Sequence, residues 1–113
     1  MRSDGSTAED QAQRYLSLQG LTPVARNYCC KAGEIDLIMQ SGDVLVFIEV
    51  RLRRSNAFGG ALASVDARKQ QRLIRTARHY LQHSRWPGPC RFDVLGMDGL
   101  GGIDWIQNAF DTG

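Results

Sequence analysis

Residues Val44 to Ile48 read VLVFI, and this unbroken apolar run constrains the fold more than any other stretch of the chain. Successive side chains of a strand point to opposite faces, so a strand apolar on both faces must be covered on both. The run is far short of the roughly 20 apolar residues that a membrane helix needs. It therefore predicts the central strand of a covered sheet. With 113 residues in total, one such sheet and its helices account for a single domain.

The rest of the chain supplies the neighbours of that strand. Ser6 and Glu9 fit a capping box opening a helix through about Gln19, with Ala8, Ala12, Tyr15 and Leu16 as its apolar stripe and Gly20 as its stop. Leu21 to Tyr28 reads as a strand. EIDLIMQ, residues 34–40, alternates, which predicts Ile35, Leu37 and Met39 on one face and Glu34, Asp36 and Ile38 on the other. A turn at Ser41-Gly42-Asp43 leads into the central strand, Val44 to Arg51. SNAFGGALAS then reads as a loop with one helical turn. A helix capped by Asp66 or Ser64 reaches about Gln82, with Leu73, Ile74, Ala77, Tyr80 and Leu81 on its apolar side. Trp86-Pro87-Gly88-Pro89 ends it. Cys90 to Met97 and Ile103 to Gln107 are strands, the second at an edge. The order α-β-β-β-α-β-(β) predicts an α/β fold of the α+β kind, a mixed sheet flanked by helices. A frayed segment 1–6, one domain over 7–110 and a tail 111–113 are expected.

The central strand carries an anomaly. Glu49 follows VLVFI directly, where a core strand would hold another aliphatic residue. A lone buried carboxylate is costly, so Glu49 must be paired or bind a cation. Arg51 shares its face and is one available partner. An even-length hairpin loop would bring Asp36 beside Glu49, whereas an odd one would separate them. Two carboxylates about 4 Å apart repel by roughly 4 kcal/mol at an effective dielectric of 20. A divalent ion relieves that repulsion, and all-oxygen ligation suits Mg²⁺ or Mn²⁺.

The charge distribution points to a partner. Between Arg51 and Arg85 stand nine basic residues and one acid, Asp66, while the remainder holds five basic residues against eleven acids. On the long helix Arg68, Gln71, Arg72, Arg75, Arg78 and His79 lie opposite the apolar side, Gln70 falls within that side and Lys69 at its edge. A basic surface beside clustered carboxylates suits phosphodiester chemistry: an ion polarises the phosphate and activates water, and cations hold the backbone.

Other groups carry less. Cys29, Cys30 and Cys90 make an odd set with one adjacent pair, which reads as buried or half-buried free thiols of a reducing cytoplasm rather than disulfides or a metal site. MRSDGSTAED is polar, so no secretory signal is expected there. His79 and His83 are spaced i, i+4, but favourable interaction with the helix C-terminus is the expected role. Trp105 is expected in the core, Trp86 in the core or against a base, and Phe58 near the substrate.

Taken together, GEIDLIMQ, DVLVFIEVR and the following RKQQRLIRTARHYL segment resemble the YraN family of small bacterial proteins, over about Glu9 to Phe110. That family in turn is similar to the PD-(D/E)xK restriction-endonuclease-like superfamily and to archaeal-type Holliday junction resolvases. The resemblance implies the αβββαβ core of that fold. It implies Asp36 as the Asp of PD, Glu49 as the (D/E), Val50 as the residue whose carbonyl joins the metal shell, and Arg51 where the superfamily has Lys. It adds Glu34 from GEID, Glu9 from the first helix as an acid near the metal, and Gln70 as a supporting helix residue. Arg51, Arg53, Arg54, Arg68, Lys69, Arg72 and Arg75 would then bind nucleic acid. Arginine stays protonated and cannot serve as a general base, although it can contact phosphate. Lys69 is a candidate replacement, with its edge position against it.

The expected function is thus a Mg²⁺- or Mn²⁺-dependent DNA endonuclease, with branched or junction DNA as substrate. The alternatives are a nucleic-acid-binding module that keeps the fold without turnover, and a domain whose basic helix docks an acidic protein. No membrane association is expected, and a symmetric four-way substrate would favour a homodimer.

Overall fold

The computed structural model describes residues 4–53 and 60–111, with side chains from Thr7 to Leu52 and from Gly60 to Asp111. The first helix begins at Asp4, so Ser6 lies inside it rather than capping it, and residues 4–6 of the expected frayed segment are helical. The side chains of Arg53 and Arg54, Phe58, and residues 1–3 and 112–113 of the two predicted ends lie outside the described residues.

The elements follow in the order α1 (Asp4–Leu18), β1 (Thr22–Cys30), β2 (Gly33–Ser41), β3 (Val44–Arg53), α2 (Gly60–Ala63), α3 (Ala67–Ser84), β4 (Cys90–Asp98) and β5 (Ile103–Phe110). The five strands form one mixed sheet in the order β1-β2-β3-β4-β5, with β3 at its centre. Only the β3–β4 pair is parallel. A parallel neighbour needs a crossover, and α2 and α3 provide it.

Each face of the sheet has its own core. On one, Ile38, Leu45, Phe47, Phe92 and Val94 pack against Ala61, Val65, Leu73, Ile74 and Ala77 of α2, α3 and their connection. On the other, Leu37, Met39, Val46, Ile48, Leu95 and Met97 pack against Ala12 and Leu16 of α1. The double-sided burial expected of VLVFI follows: Leu45 to Ile48 are at most 2% exposed.

Local chemistry sets the boundaries. At the end of α1, Gly20 adopts a φ of 102° and Leu21 N–H returns to the Leu16 carbonyl at 3.1 Å. This is a left-handed stop that glycine reaches without strain. Asp66 caps α3, its carboxylate accepting from Lys69 N–H at 2.9 Å. Gly96 is required by packing: a Cβ there would stand 2.5 Å from the Ala61 Cβ, so its bare backbone lets α2 sit against β4.

One expected pattern fails. Ile35 packs with Ile38 on the α3 face, whereas Leu37 and Met39 face α1. The predicted alternation of β2 is therefore broken between Ile35 and Leu37, at Asp36. Across the β1–β2 pair, Arg26 partners Leu37 and Tyr28 partners Ile35, and Asn27 between them has a φ of 53°. The left-handed residue on one strand and the lost alternation on the other mark the same irregularity.

Candidate functional site

The β2–β3 hairpin turns through Gly42-Asp43, with Ser41 opposite Val44, and its register runs back to Leu37 opposite Ile48. The loop is even-numbered, so continuing the register would set Asp36 opposite Glu49, and although the alternation breaks at Asp36 both residues line the same two hollows. In a regular ladder the Val50 N–H would go to the Ile35 carbonyl. It goes instead to the Asp36 carboxylate, Oδ2 accepting at 2.8 Å. The Asp36 side chain thus closes the hairpin where the backbone pairing stops, and Glu49 stands beside it.

Glu49 is 5% exposed and holds two cations. Lys69 Nζ lies 2.9 Å from its Oε2 and Arg51 Nη1 lies 3.4 Å from the same oxygen. Arg51 is fixed from its other side, its Nε donating to Ser64 Oγ at 3.0 Å. Ser64 in turn donates to the Ala61 carbonyl at 2.6 Å. The Gly96–Ala61 contact therefore sets where Arg51 is supported. The edge position that counted against Lys69 does not keep it from the acids, because its four-carbon stem carries the ammonium onto Glu49.

Two hollows meet over the carboxylates. One, of about 210 Å³, opens towards α3 and is lined by Glu34, Lys69 and Arg72 as well as by Asp36 and Glu49. The other, of about 280 Å³, opens towards α1 and adds Glu9, Val50, Arg51 and Leu52. Asp36, Glu49 and Lys69 line both. Burial pushes the Asp36 carboxyl up to about 8, with the negative charge of Glu49 the next cause. The Val50 hydrogen bond pulls the other way, and Glu9 and Glu34 add smaller upward pushes. A proton thus stays on Asp36 at neutral pH, because two adjacent half-desolvated carboxylates resist ionising together.

The remaining predicted residues fall at varied distances from this centre. Glu9 reaches the rim and lies 3.8 Å from Arg26 Nη2. Glu34 is exposed at the opposite rim. Gln70 turns to the α2–α3 connection, its Nε2 donating to the Val65 carbonyl at 3.0 Å. Arg68, Arg72, Arg75 and Arg78 are all exposed on α3, as the wheel predicts. Among the described residues, no three His, Cys, Asp or Glu side chains are gathered closely enough to hold an ion between them.

Groups outside the centre have structural partners. Tyr28 hydroxyl and His79 Nδ1 form a hydrogen bond, and His83 Nδ1 donates to the His79 carbonyl at 2.8 Å near the end of α3. Trp105 is half-buried and meets Tyr15 edge-on; Trp86 donates to the Pro89 carbonyl at 2.9 Å. The three cysteines are free, Cys30 and Cys90 half-buried, but Cys29, on the opposite side of the outer strand β1 from Cys30, is exposed rather than covered. A larger hollow of about 550 Å³ lies between α1 and the β4–β5 turn. Among its described lining residues the one carboxylate, Asp98, already accepts from Leu100 N–H at 2.8 Å and Gly102 N–H at 2.7 Å. Size alone does not make it the chemical site. Among the described residues no helix is long and apolar enough to cross a membrane.

Sequence comparison places these features in a family. A profile described as "Uncharacterised protein family UPF0102" matches residues 8–97, which include every element of the carboxylate site. The UPF0102 protein of Nitrosomonas eutropha is 53% identical over 112 residues, covering 99% of this chain and 97% of its own. That of Nitrosomonas europaea is 54% identical over 109 residues, covering 95% and 92%. One from Pseudomonas fluorescens is 50% identical over 114 residues, covering 96% and 93%. The chain belongs to the UPF0102 family, the family also called YraN.

Proposed function

We propose that this protein is a metal-dependent endonuclease of the restriction-endonuclease-like type, acting on DNA. The observation that carries the reading is the meeting of Asp36 and Glu49, from adjacent strands, at the floor of a cation-lined trough. A structural role would leave each carboxylate with its own counter-charge. Asp36 instead has the Val50 N–H and an adjacent carboxylate.

The donor set suits a hard divalent cation. Mg²⁺ and Mn²⁺ take oxygen ligands, keep several waters and use one or two carboxylates together with substrate phosphate. Asp36 and Glu49 would hold the ion, with the Val50 carbonyl beside them. When bound, the ion supplies polarisation of the phosphate and an activated water. The protein's own groups do the rest. Arg51, braced by Ser64, would contact the phosphate undergoing attack. Arg72, at the α3 rim, and Arg68 and Arg75 on the same exposed face would hold the flanking backbone. Gln70, bonded to the α2–α3 connection, would position the start of α3 rather than touch substrate.

A second reading has its own observation. Arg51 cannot accept a proton, and Lys69 is engaged on Glu49. A module that binds nucleic acid without cutting it is consistent with both. One assay separates the two: labelled linear and four-way branched DNA are incubated with Mg²⁺ or Mn²⁺, using wild type, Asp36→Ala and Glu49→Ala. The nuclease reading expects cleavage in wild type alone, with binding kept in both variants. Binding without cleavage under either metal supports the module. Branched DNA cut faster than linear would support the junction preference. A shallow salt dependence of DNA affinity would favour an acidic protein partner instead, since several phosphate contacts give a steep one.

A further inference from the structure

The two cations on Glu49 are not equivalent. Arg51 is bonded on one side to Glu49 and on the other to Ser64, so its guanidinium is fixed at two points. Lys69 meets Glu49 through a single ammonium at the end of a rotatable stem. Its side chain is 32% exposed, while that of Glu49 is 6% exposed. The carboxylate is therefore the fixed member of the pair and the ammonium the one able to move. Lys69 also lines both hollows, so its head group has solvent-filled space on either side of the carboxylates.

The contact is made on Oε2, the oxygen that Arg51 also approaches. A cation drawing on Glu49 meets an ammonium already there. Like charges at such separations repel strongly in a half-desolvated site. Resting on the metal-site reading above, we propose that Lys69 is a displaceable counter-ion. Its ammonium and a divalent cation compete for Glu49, and entry of the ion releases Lys69 into the trough. There the freed ammonium faces the path of a phosphate backbone. Metal and phosphate binding are then coupled through one side chain: the ion frees the cation that phosphate needs, and phosphate holds that cation away from the ion's place.

The test is calorimetric titration of Mn²⁺ into the full chain as wild type, Lys69→Met and Lys69→Gln, at fixed pH and salt. It is joined by NMR of the wild-type Lys69 side chain during Mg²⁺ addition. The expected result is about tenfold tighter Mn²⁺ binding in both variants, together with a Mg²⁺-dependent shift of the Lys69 Cε and Nζ signals. Equal or weaker binding in the variants overturns the counter-ion proposal and leaves the metal site standing. Absence of binding in wild type and variants alike overturns both. Should the variants fail to fold, the wild-type signals decide: Lys69 resonances unmoved at saturating Mg²⁺ overturn the proposal.

Discussion

Two aspartates in this sheet close gaps in its hydrogen-bond ladder, and their surroundings could hardly differ more. Asp36 takes the Val50 N–H beside the β2–β3 pair. Asp93 takes the Asn108 N–H at 2.9 Å, beside the register shift between β4 and β5. Asp93 is 1% exposed and fully partnered. Arg91 reaches it through Nε at 3.0 Å and Nη2 at 3.2 Å, and Trp105 Nε1 donates at 2.9 Å. Asp36 faces another carboxylate, and the local cations bond to Glu49. A buried acid with its own arginine and two N–H donors is a fastener. A half-buried acid set against a second acid, in a trough open to solvent, has capacity left for a ligand. Burial of a carboxylate alone does not distinguish the two cases; the inventory of its partners does.

The largest expected effect tests the fastener. Asp93→Ala leaves the Arg91 charge, the Trp105 N–H and the Asn108 N–H without their acceptor. A loss of about 3 kcal/mol or more in urea unfolding is expected. A loss below about 1 kcal/mol would collapse the distinction between the two aspartates.

Asp36→Asn should act in the opposite direction. The folded chain holds its Asp36 proton up to a pH near 8, against 3.8 for the ordinary group. An unfolded chain releases that proton from about pH 4 upward. Stability of the metal-free protein therefore falls as pH rises between those values and stays reduced above them. The amide variant carries no such penalty. It should be more stable than wild type by on the order of 2 kcal/mol at pH 8, after allowance for solvent screening, with the gap closing towards pH 4. Unfolding curves for both proteins at pH 4, 6 and 8 check this, and a pH-independent difference would contradict it. The same proton must leave for an ion to bind, so Mn²⁺ affinity should rise with pH up to about 8.

Arg91→Lys is the smallest change and sharpens the comparison. It keeps the charge beside Asp93 but removes the two-pronged guanidinium contact. A loss of about 1 kcal/mol is expected from urea unfolding, with Mn²⁺ binding unchanged. A weakened metal site in this variant would mean that the two regions are not independent.

Much of this contrast can be traced in the sequence, and the untraceable part has a common cause. VLVFI marks the central strand, and an even hairpin loop, one of the two parities the sequence leaves open, sets residue 36 opposite residue 49. The arginine face of α3 follows from its 3.6-residue period. The break at Asp36 does not, because it depends on Asn27 across one strand pair and Val50 across the other. Asp93 reads as an ordinary strand residue until Arg91, Trp105 and Asn108 are seen around it. The wheel sets Lys69 at the edge of the apolar side, where it is, but it gives only the direction of Cβ, while the ammonium lies four carbons further along a flexible stem and reaches Glu49. Local periodicity carries the elements; the partners of each polar atom come from pairings across the sheet.

The most direct test of the central claim uses Mn²⁺ as a paramagnetic probe on ¹⁵N-labelled protein at pH 8. An ion held by Asp36 and Glu49 should broaden the Val50 amide signal at substoichiometric Mn²⁺, well ahead of the Asn108 amide two strands away, and lose its effect on Val50 in Asp36→Asn. A Val50 signal unaffected by Mn²⁺, or broadening that is unchanged in Asp36→Asn, would contradict the account.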